Sequence, residues 1–449
     1  VSPLFRLLYW SYRLWTHAAF WVNQRFTPAG MALLIALLVV IPLSFDTENN
    51  VAYQVLCLLF ALLVVGAGFG WWFTWRFDVA RRLPRFGSVG VPLEYQVTIS
   101  NQGPKPQAGL TYLETLPEVR PELGEWIAFQ LAEERRLRRI PIWRRRMRHP
   151  FRVARVKPVE VPPIPAGQSV DVPVRLTPLR RGVMRFQCVT LGRSDPLGVF
   201  RALARRPYPQ SILVLPKRYF IPPVALPGAM KYQQGGVAMA SSVGQSDEFV
   251  SLRDYRRGDP YKHIHWRSWA KTGTPIVKEY EDEFFVRHAL VLDTFSKDPY
   301  SEAFEGAVSV AASFACTVQT QESLLDLLFA GTEAYCFTAG RGLAHADQLL
   351  EILAAVRANP DPEKFAALEK LVLEHAASVS GCICVFVTWD AARQELVRKL
   401  RLLGVPLLVL VVVPDAAAAK KVEPGPMRED PAHFRVLEAG KLAEQLALL

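Results

Sequence analysis

Residues 248–283 read EFVSLRDYRRGDPYKHIHWRSWAKTGTPIVKEYEDE, and the chain changes character on either side of them. Upstream lies strand-like sequence punctuated by Pro and Gly; downstream, apolar runs alternate with amphipathic helical patterns. Inside the stretch, Arg256-Arg257-Gly258-Asp259-Pro260 spells a turn, because Gly accepts positive φ and Pro stops a helix. Ile264 and Trp266 alternate with His263, His265 and Arg267, which predicts a half-buried strand. Thr272-Gly273-Thr274-Pro275 is a second turn, and Ile276-Val277 opens another strand. Glu248, Arg253, Asp254, Asp259, Arg267, Glu279 and Glu281 are spaced to pair across neighbouring strands. Arg suits that task, since its rigid fork of donors can serve two carboxylates. By composition alone the same residues also fit a solvated polar face.

The order E-F-x-x-L-R-x-Y-x-x-G-D-P-x-x-x-I-H-W, with a basic stretch and a closing E-x-E, resembles the signature of the domain-of-unknown-function 58 (DUF58) family. It falls on Glu248, Phe249, Leu252, Arg253, Tyr255, Gly258, Asp259, Pro260, Ile264, His265, Trp266, Lys271, Glu279 and Glu281. A second passage, Arg181-Gly182 through Asp195-Pro196-Leu197-Gly198-Val199-Phe200, resembles the same family's R-G…D-P-F/L-G-L-F, with Val199 for the usual Leu. The resemblance implies bacterial or archaeal proteins that are often membrane-anchored, with an immunoglobulin-like layer before the signature. It also implies a MoxR-type AAA+ ATPase as partner, because genes of the family commonly lie beside such ATPases.

The chain has 449 residues, half of them hydrophobic and 21% charged, which fits two or three globular domains. Its formal charge of +11 calls for an anionic neighbour, lipid headgroups or nucleic acid. Six cysteines show no metal-ligand CxxC spacing and read as reduced thiols, Cys382 and Cys384 on a buried strand. Two uncharged apolar runs, Ala29 to Phe45 and Val51 to Trp75, are each near the ~20 residues that cross a bilayer. Arg6, Arg13 and Arg25 precede them, Arg76, Arg81, Arg82 and Arg85 follow, and the acidic Asp46–Asn50 separates them. That charge pattern predicts a transmembrane hairpin in the inner (cytoplasmic) membrane, with both termini cytoplasmic.

Strand patterns recur at 91–100, 109–113, 169–177, 184–190 and 211–215, with Pro/Gly turns between, and predict a β-sandwich. In the D-P-L-G-V-F passage, Asp195-Pro196 should start a turn that Leu197 and Phe200 fasten to the core. An insertion at 131–155 carries ten arginines among Leu, Ile, Trp and Phe, including Arg144, Arg145, Arg146 and Arg148. Read as a basic, aromatic-tipped loop beside a membrane, it predicts contact with anionic lipid headgroups. A nucleic-acid site and a solvated hairpin compete with that reading; the hairpin upstream, which already ties the segment to the bilayer, favours lipid and argues against nucleic acid.

After Glu283, apolar strands at 289–293, 323–329, 334–337, 384–390 and 405–413 alternate with helical stretches at 302–319, 346–358, 362–379 and 391–403. This pattern predicts a parallel sheet covered on both faces. Ligands of such sheets bind beyond the carboxyl ends of the strands. Asp293 and Asp390, each expected at a strand end, resemble the acids that hold Mg²⁺ in von Willebrand factor A domains, with Ser296 as a further ligand. The motif is degenerate, for Phe295 and Lys297 stand where that pattern has Ser, and a hard cation gains nothing from either.

The expected architecture is therefore a transmembrane hairpin with basic flanks (1–85), an immunoglobulin-like sandwich (86–220), the signature segment (221–285) and a von Willebrand factor A-like α/β domain (286–449). The function favoured is a non-enzymatic scaffold or adaptor working with a MoxR-type AAA+ ATPase in maturation or assembly of other proteins. In it Glu248, Arg253, Tyr255, Gly258, Asp259, His265, Trp266, Glu279 and Glu281 are the interaction residues, and Arg253, Asp259, His265, Trp266 and Glu281 form a polar platform. The alternative is a metal-dependent hydrolase using Asp259, His263 and His265, the two histidines lying on one side of a strand. No phosphate-binding G-x-x-x-x-G-K-[ST] and no G-x-S-x-G nucleophile elbow is present.

Overall fold

The fold is that of a computed structural model, described for residues 3–44, 50–71, 75–117, 121–138, 151–222, 249–259, 261–280, 287–296, 298, 300–319, 324–331, 333–339 and 343–449. The chain divides into two compact units, Val1–Lys217 and Arg218–Leu449.

The first unit opens with helices α1 (Pro3–Arg25), α2 (Pro28–Leu43) and α3 (Asn50–Trp71). Thr27 starts α2 by accepting the Gly30 N–H at 3.0 Å, and Pro28 supplies the preset φ of a first helical turn. Within α3 the window Val51–Phe69 has a mean hydropathy of 2.3 and is almost wholly exposed. Among the described residues it is the one helical stretch long and apolar enough to cross a bilayer. The first apolar run, expected as a full span, makes a helix of 16 residues, about 24 Å at 1.5 Å per residue against a hydrocarbon core of ~30 Å. The tip at 46–49 lies outside the described residues.

Two sheets follow. β1 (Phe77–Arg82), β3 (Leu93–Asn101), β7 (Ser169–Pro178) and β5 (Ala154–Val156) make one, in that order. β2 (Phe86–Ser88), β9 (Arg201–Leu215), β8 (Gly182–Ser194), β4 (Leu110–Thr115) and β6 (Val159–Val161) make the other. All pairings are antiparallel except that of β2 with β9. The inward side chains of both, among them Val97, Ile99, Val172, Met184, Phe186 and Leu191, share one core, so the pair is a β-sandwich. Inside it sits a charge. Arg81 donates to Glu114 at 2.7 Å, both side chains fully buried, and the Tyr95 and Tyr112 hydroxyls donate to the same carboxylate. Burial pushes the Glu114 carboxyl and both phenols up, and the Arg81 guanidinium opposes that shift.

The first part of the basic insertion is not the expected loop. Helix α4 (Leu123–Arg138) runs into it, built from Leu, Ala, Glu and Arg, and buries Trp126 and Phe129. Arg144, Arg145, Arg146 and Arg148 lie outside the described residues.

The D-P-L-G-V-F passage is the seat on which the helices are fixed. Asp195 Oδ1 accepts the N–H groups of Val199 and Phe200, at 2.7 and 2.8 Å, which closes the turn. The Thr27 N–H donates to the Val199 carbonyl at 3.2 Å and its hydroxyl to Gly198 O, while Phe26 stands edge-on to Phe200. Phe200 and Val199 are buried as expected of anchors, whereas Leu197 is exposed and fastens nothing.

The second unit begins with the antiparallel pair β10 (Phe249–Asp254) and β11 (Ile276–Tyr280), with helix α5 (Trp266–Thr272) between them. A mixed sheet follows, with β12 (Arg287–Leu292), β13 (Leu324–Ala330), β14 (Ala334–Ala339), β15 (Gly381–Phe386), β16 (Leu407–Val413) and β17 (Phe434–Glu438) in the order β14-β13-β12-β15-β16-β17. Five strands run parallel, but β14 is antiparallel to β13. Only residues 331–333 join those two, too few for the crossover a parallel pair needs. Helices α6 (Glu302–Gln319) and α7 (Leu343–Ala355) pack on the sheet, as do α8 (Phe365–His375) and α9 (Ala391–Leu402). Val291, Cys384 and Val411 meet α8 and α9 in one core cluster, while Gly306 of α6 lies against Val412, so the two helix pairs cover opposite faces. The short helices α10 (Ala416–Ala419) and α11 (Leu442–Leu446) flank β17.

Candidate functional site

Arg253, on β10, reaches Asp259 with both prongs of its guanidinium. Nη1 lies 2.7 Å from Oδ2 and Nη2 lies 2.9 Å from Oδ1. The Arg256 N–H donates to the same Oδ2 at 2.8 Å, and Gly258 takes φ +116° so that the turn can close. Hydrogen bonds from Arg253 and Arg256 hold the Asp259 carboxyl down at about 2. A carboxylate so occupied is a weak base and has little left to offer a metal. Its work is to stiffen the turn.

Beyond that turn the expected strand is absent. Tyr261–His263 forms a single 3₁₀ turn and α5 begins at Trp266, with Gly273 at φ +73° ending it. The i, i+3 spacing of Trp266 and Trp269 is the signal that decides it, for their rings stack at 5.3 Å. Ile264 alone goes inward, bridging Val277. His263 and His265 therefore do not project from one side of a strand. His265 occupies the N-cap of α5, its Nδ1 2.6 Å from Ser268 Oγ. Among the described residues no three His, Cys, Asp or Glu are grouped to hold a metal. Tyr255 stacks on Tyr261 at 6.2 Å. Three large apolar side chains of this segment stay exposed, Tyr261 by 76%, Trp266 by 64% and Leu252 by 41%. Glu248 and Glu281 lie outside the described residues, as does the Glu279 side chain, whose backbone pairs with Ser251 in β11.

The second place to look is where the sheet order reverses, between β12 and β15. Asp293 follows β12 and is fully buried. Its Oδ1 accepts the Phe295 N–H at 3.0 Å and its Oδ2 the Val387 N–H at 3.2 Å. Arg393 of α9 adds Nη2 to Oδ1 at 3.1 Å and Nε to Oδ2 at 3.2 Å. Its remaining Nη1 binds Asp390 Oδ2 at 2.7 Å, and its Cζ sits 4.1 Å from the Phe365 ring centroid. Burial pushes the Asp293 carboxyl up, while Arg393 and the two N–H donors pull it back. Asp390 does not end a strand; it caps α9 by accepting the Arg393 N–H at 3.1 Å. Ser296 turns into its own loop, bonding Asp298 O at 3.0 Å. Asp293, Ser296 and Asp390 thus do not fit a divalent cation, since the fixed Arg393 guanidinium already occupies both acids and Ser296 is turned into its own loop. Arg393 was not singled out by spacing, although Asp and Arg at i, i+3 across a helix start is a readable sign.

Both pairs fall within one family match. Residues 251–428 match the model described as protein of unknown function DUF58. The DUF58 match starts in β10 and ends before β17. The chain is also 28% identical over 207 residues to the uncharacterized protein YeaD of Bacillus subtilis (strain 168), covering 45% of this chain and 50% of that protein. The chain thus spans about half the length of the curated relative it matches. Among solved structures, a Salmonella alpha-2-macroglobulin is similar over 34% of this chain and 8% of its own, at 14% identity and TM-score 0.19. A CARDB domain from Pyrococcus furiosus is similar over 31% of this chain and 93% of its own, at 10% identity and TM-score 0.16. At those scores neither bears on the DUF58 segment or its function.

Proposed function

We propose that this chain is a membrane-anchored adaptor that presents the exposed aromatic side chains of its signature to a partner protein. The observation that carries this reading is that the segment exposing Tyr261 and Trp266 is braced by a bidentate Arg253–Asp259 pair. Trp, Tyr and Arg are the residues that dominate protein interfaces, and a surface fixed before binding loses less entropy on docking. Where the strand order reverses, Asp293 and Asp390 are both held by Arg393, which favours an adaptor over an enzyme with a metal there. The partner we propose is a MoxR-type AAA+ ATPase, with maturation or assembly of other proteins as the outcome; this rests on the DUF58 resemblance. The strand order, with its third strand antiparallel, supports reading the second unit as von Willebrand factor A-like. The antiparallel sandwich supports an immunoglobulin-like layer. The apolar α2 and α3, packed side by side with arginines outside both ends of the pair, support an anchor in the cytoplasmic membrane as a hairpin with both termini inside.

The test is affinity purification from native membranes in mild detergent, comparing wild type with Asp259→Ala and Trp266→Ala. An AAA+ ATPase recovered with wild type and depleted at least ~10-fold by Trp266→Ala is the expected result, the cost of losing one interface anchor. Equal recovery with all three variants, or no ATPase after cross-linking with ATP present, would overturn the assignment.

A further inference from the structure

Helix α1 has an apolar face that nothing among the described residues of the first unit covers. On one side Tyr9 and Tyr12 pack on Trp126 of α4, and the Tyr9 hydroxyl donates to Pro121 O at 2.8 Å. At 100° per residue, Leu7 and Leu14 fall on the opposite side, and Leu4 and Trp15 widen that face along one flank. All four are exposed, Leu7 by 67% and Trp15 by 76%. Arg6 and Arg13 run along one border of that face, and α1 contains no Asp or Glu. An uncovered row of Leu and Trp edged by Arg is costly in water and matches a membrane interface, where apolar side chains enter the acyl boundary and guanidinium groups meet phosphates.

The placement of the helix agrees with its chemistry. Its C-terminal end leads through Phe26 and Thr27 directly into α2, at the Gly198–Phe200 seat, and Gln24 accepts from Arg205 at 2.6 Å beside it. Its N-terminal half leans on α4, the helix that leads into the arginine-rich insertion. So α1 spans the sandwich from the foot of the apolar hairpin to the start of the most basic stretch of the chain.

We infer that α1 lies in the plane of the membrane, its Leu/Trp face sunk into the interface of an anionic bilayer. This rests on the membrane-anchor reading above, and the test separates the two. The full chain, with Cys57, Cys188, Cys316 and Cys336 replaced by Ser, is reconstituted in phosphatidylglycerol-containing vesicles. A polarity-sensitive dye is placed at Trp15→Cys, at Asn23→Cys on another face of α1, and at Val64→Cys in α3. Quenching by doxyl-labelled lipid is then measured. The expected result is quenching at position 15 at least about threefold above that at position 23, as for a face buried ~5–10 Å into the headgroup boundary. Quenching at 64 with none at 15 overturns the interfacial helix while leaving the anchor standing. No quenching at 64 overturns both. A blue-shifted but unquenched dye at 15 would assign the face to protein, a second copy included, and also overturns the inference.

Discussion

At the scale of the residue, the two Arg–Asp pairs look alike and act differently. Arg393 and Asp293 are both buried, so removing one leaves a charge without a partner in a low-dielectric core. Arg393→Ala should cost about 3–5 kcal/mol and lower the melting temperature by several degrees. A shift within error would mean the pair is not formed. For the same reason millimolar Mg²⁺ should leave the melting temperature of the wild-type chain unchanged; a concentration-dependent rise would show that a cation does enter. Arg253 and Asp259 are partly solvated, and their signature is pH. The folded carboxyl titrates at about 2, below an unfolded Asp near ~3.9, so its stabilisation is complete above pH ~4 and fades as pH falls towards ~2. The melting-temperature gap between wild type and Asp259→Asn should thus be flat from about pH 8 to 5 and close only below pH ~4. A gap that closes near neutrality contradicts the clamp.

At the scale of the element, the seat for α2 makes an unusual demand. A β-carbon at position 30 would stand 2.0 Å from the Val199 carbonyl oxygen, so only Gly lets the helix approach. Helix propensity alone predicts that Gly30→Ala stabilises by ~1 kcal/mol; the contact predicts the opposite sign. Loss of stability, with faster proteolysis near residues 26–30, is the expected result, and a stabilised variant would show that α2 does not dock there. Which elements were legible follows from what each buries. Strands at 93–101, 169–178 and 407–413 alternate or run apolar as their faces require, and could be read. The 3₁₀ turn at Tyr261–His263 and α5 could not, because Ile264 and Trp266 mimic a period of two while only Ile264 is buried. β17 escaped because Phe434-Arg435-Val436-Leu437-Glu438 is a short edge strand with charges interleaved.

At the scale of the molecule, the strands of the sandwich and the α/β sheet with its helices came through because each imposes its own hydrophobic period over many residues, whereas α1 and α4 did not. The site did not come through whole. Asp293 and Asp390 were legible as acids near strand ends, but their role depended on Arg393, about a hundred residues from one of them and brought to it only by the sheet order. The exposure of Leu252, Tyr261 and Trp266 likewise depends on a turn whose geometry no single motif spells out. In the proposed adaptor, the partner docks on Tyr261 and Trp266. Site-specific photo-cross-linking in cells tests it most directly, with a benzophenone amino acid at Trp266, at Tyr261 and, as an exposed control on α9, at Leu402. A discrete cross-linked AAA+ ATPase from 266 and 261 and none from 402 is the predicted result. Cross-links of equal yield at all three, or at 402 alone, would contradict it.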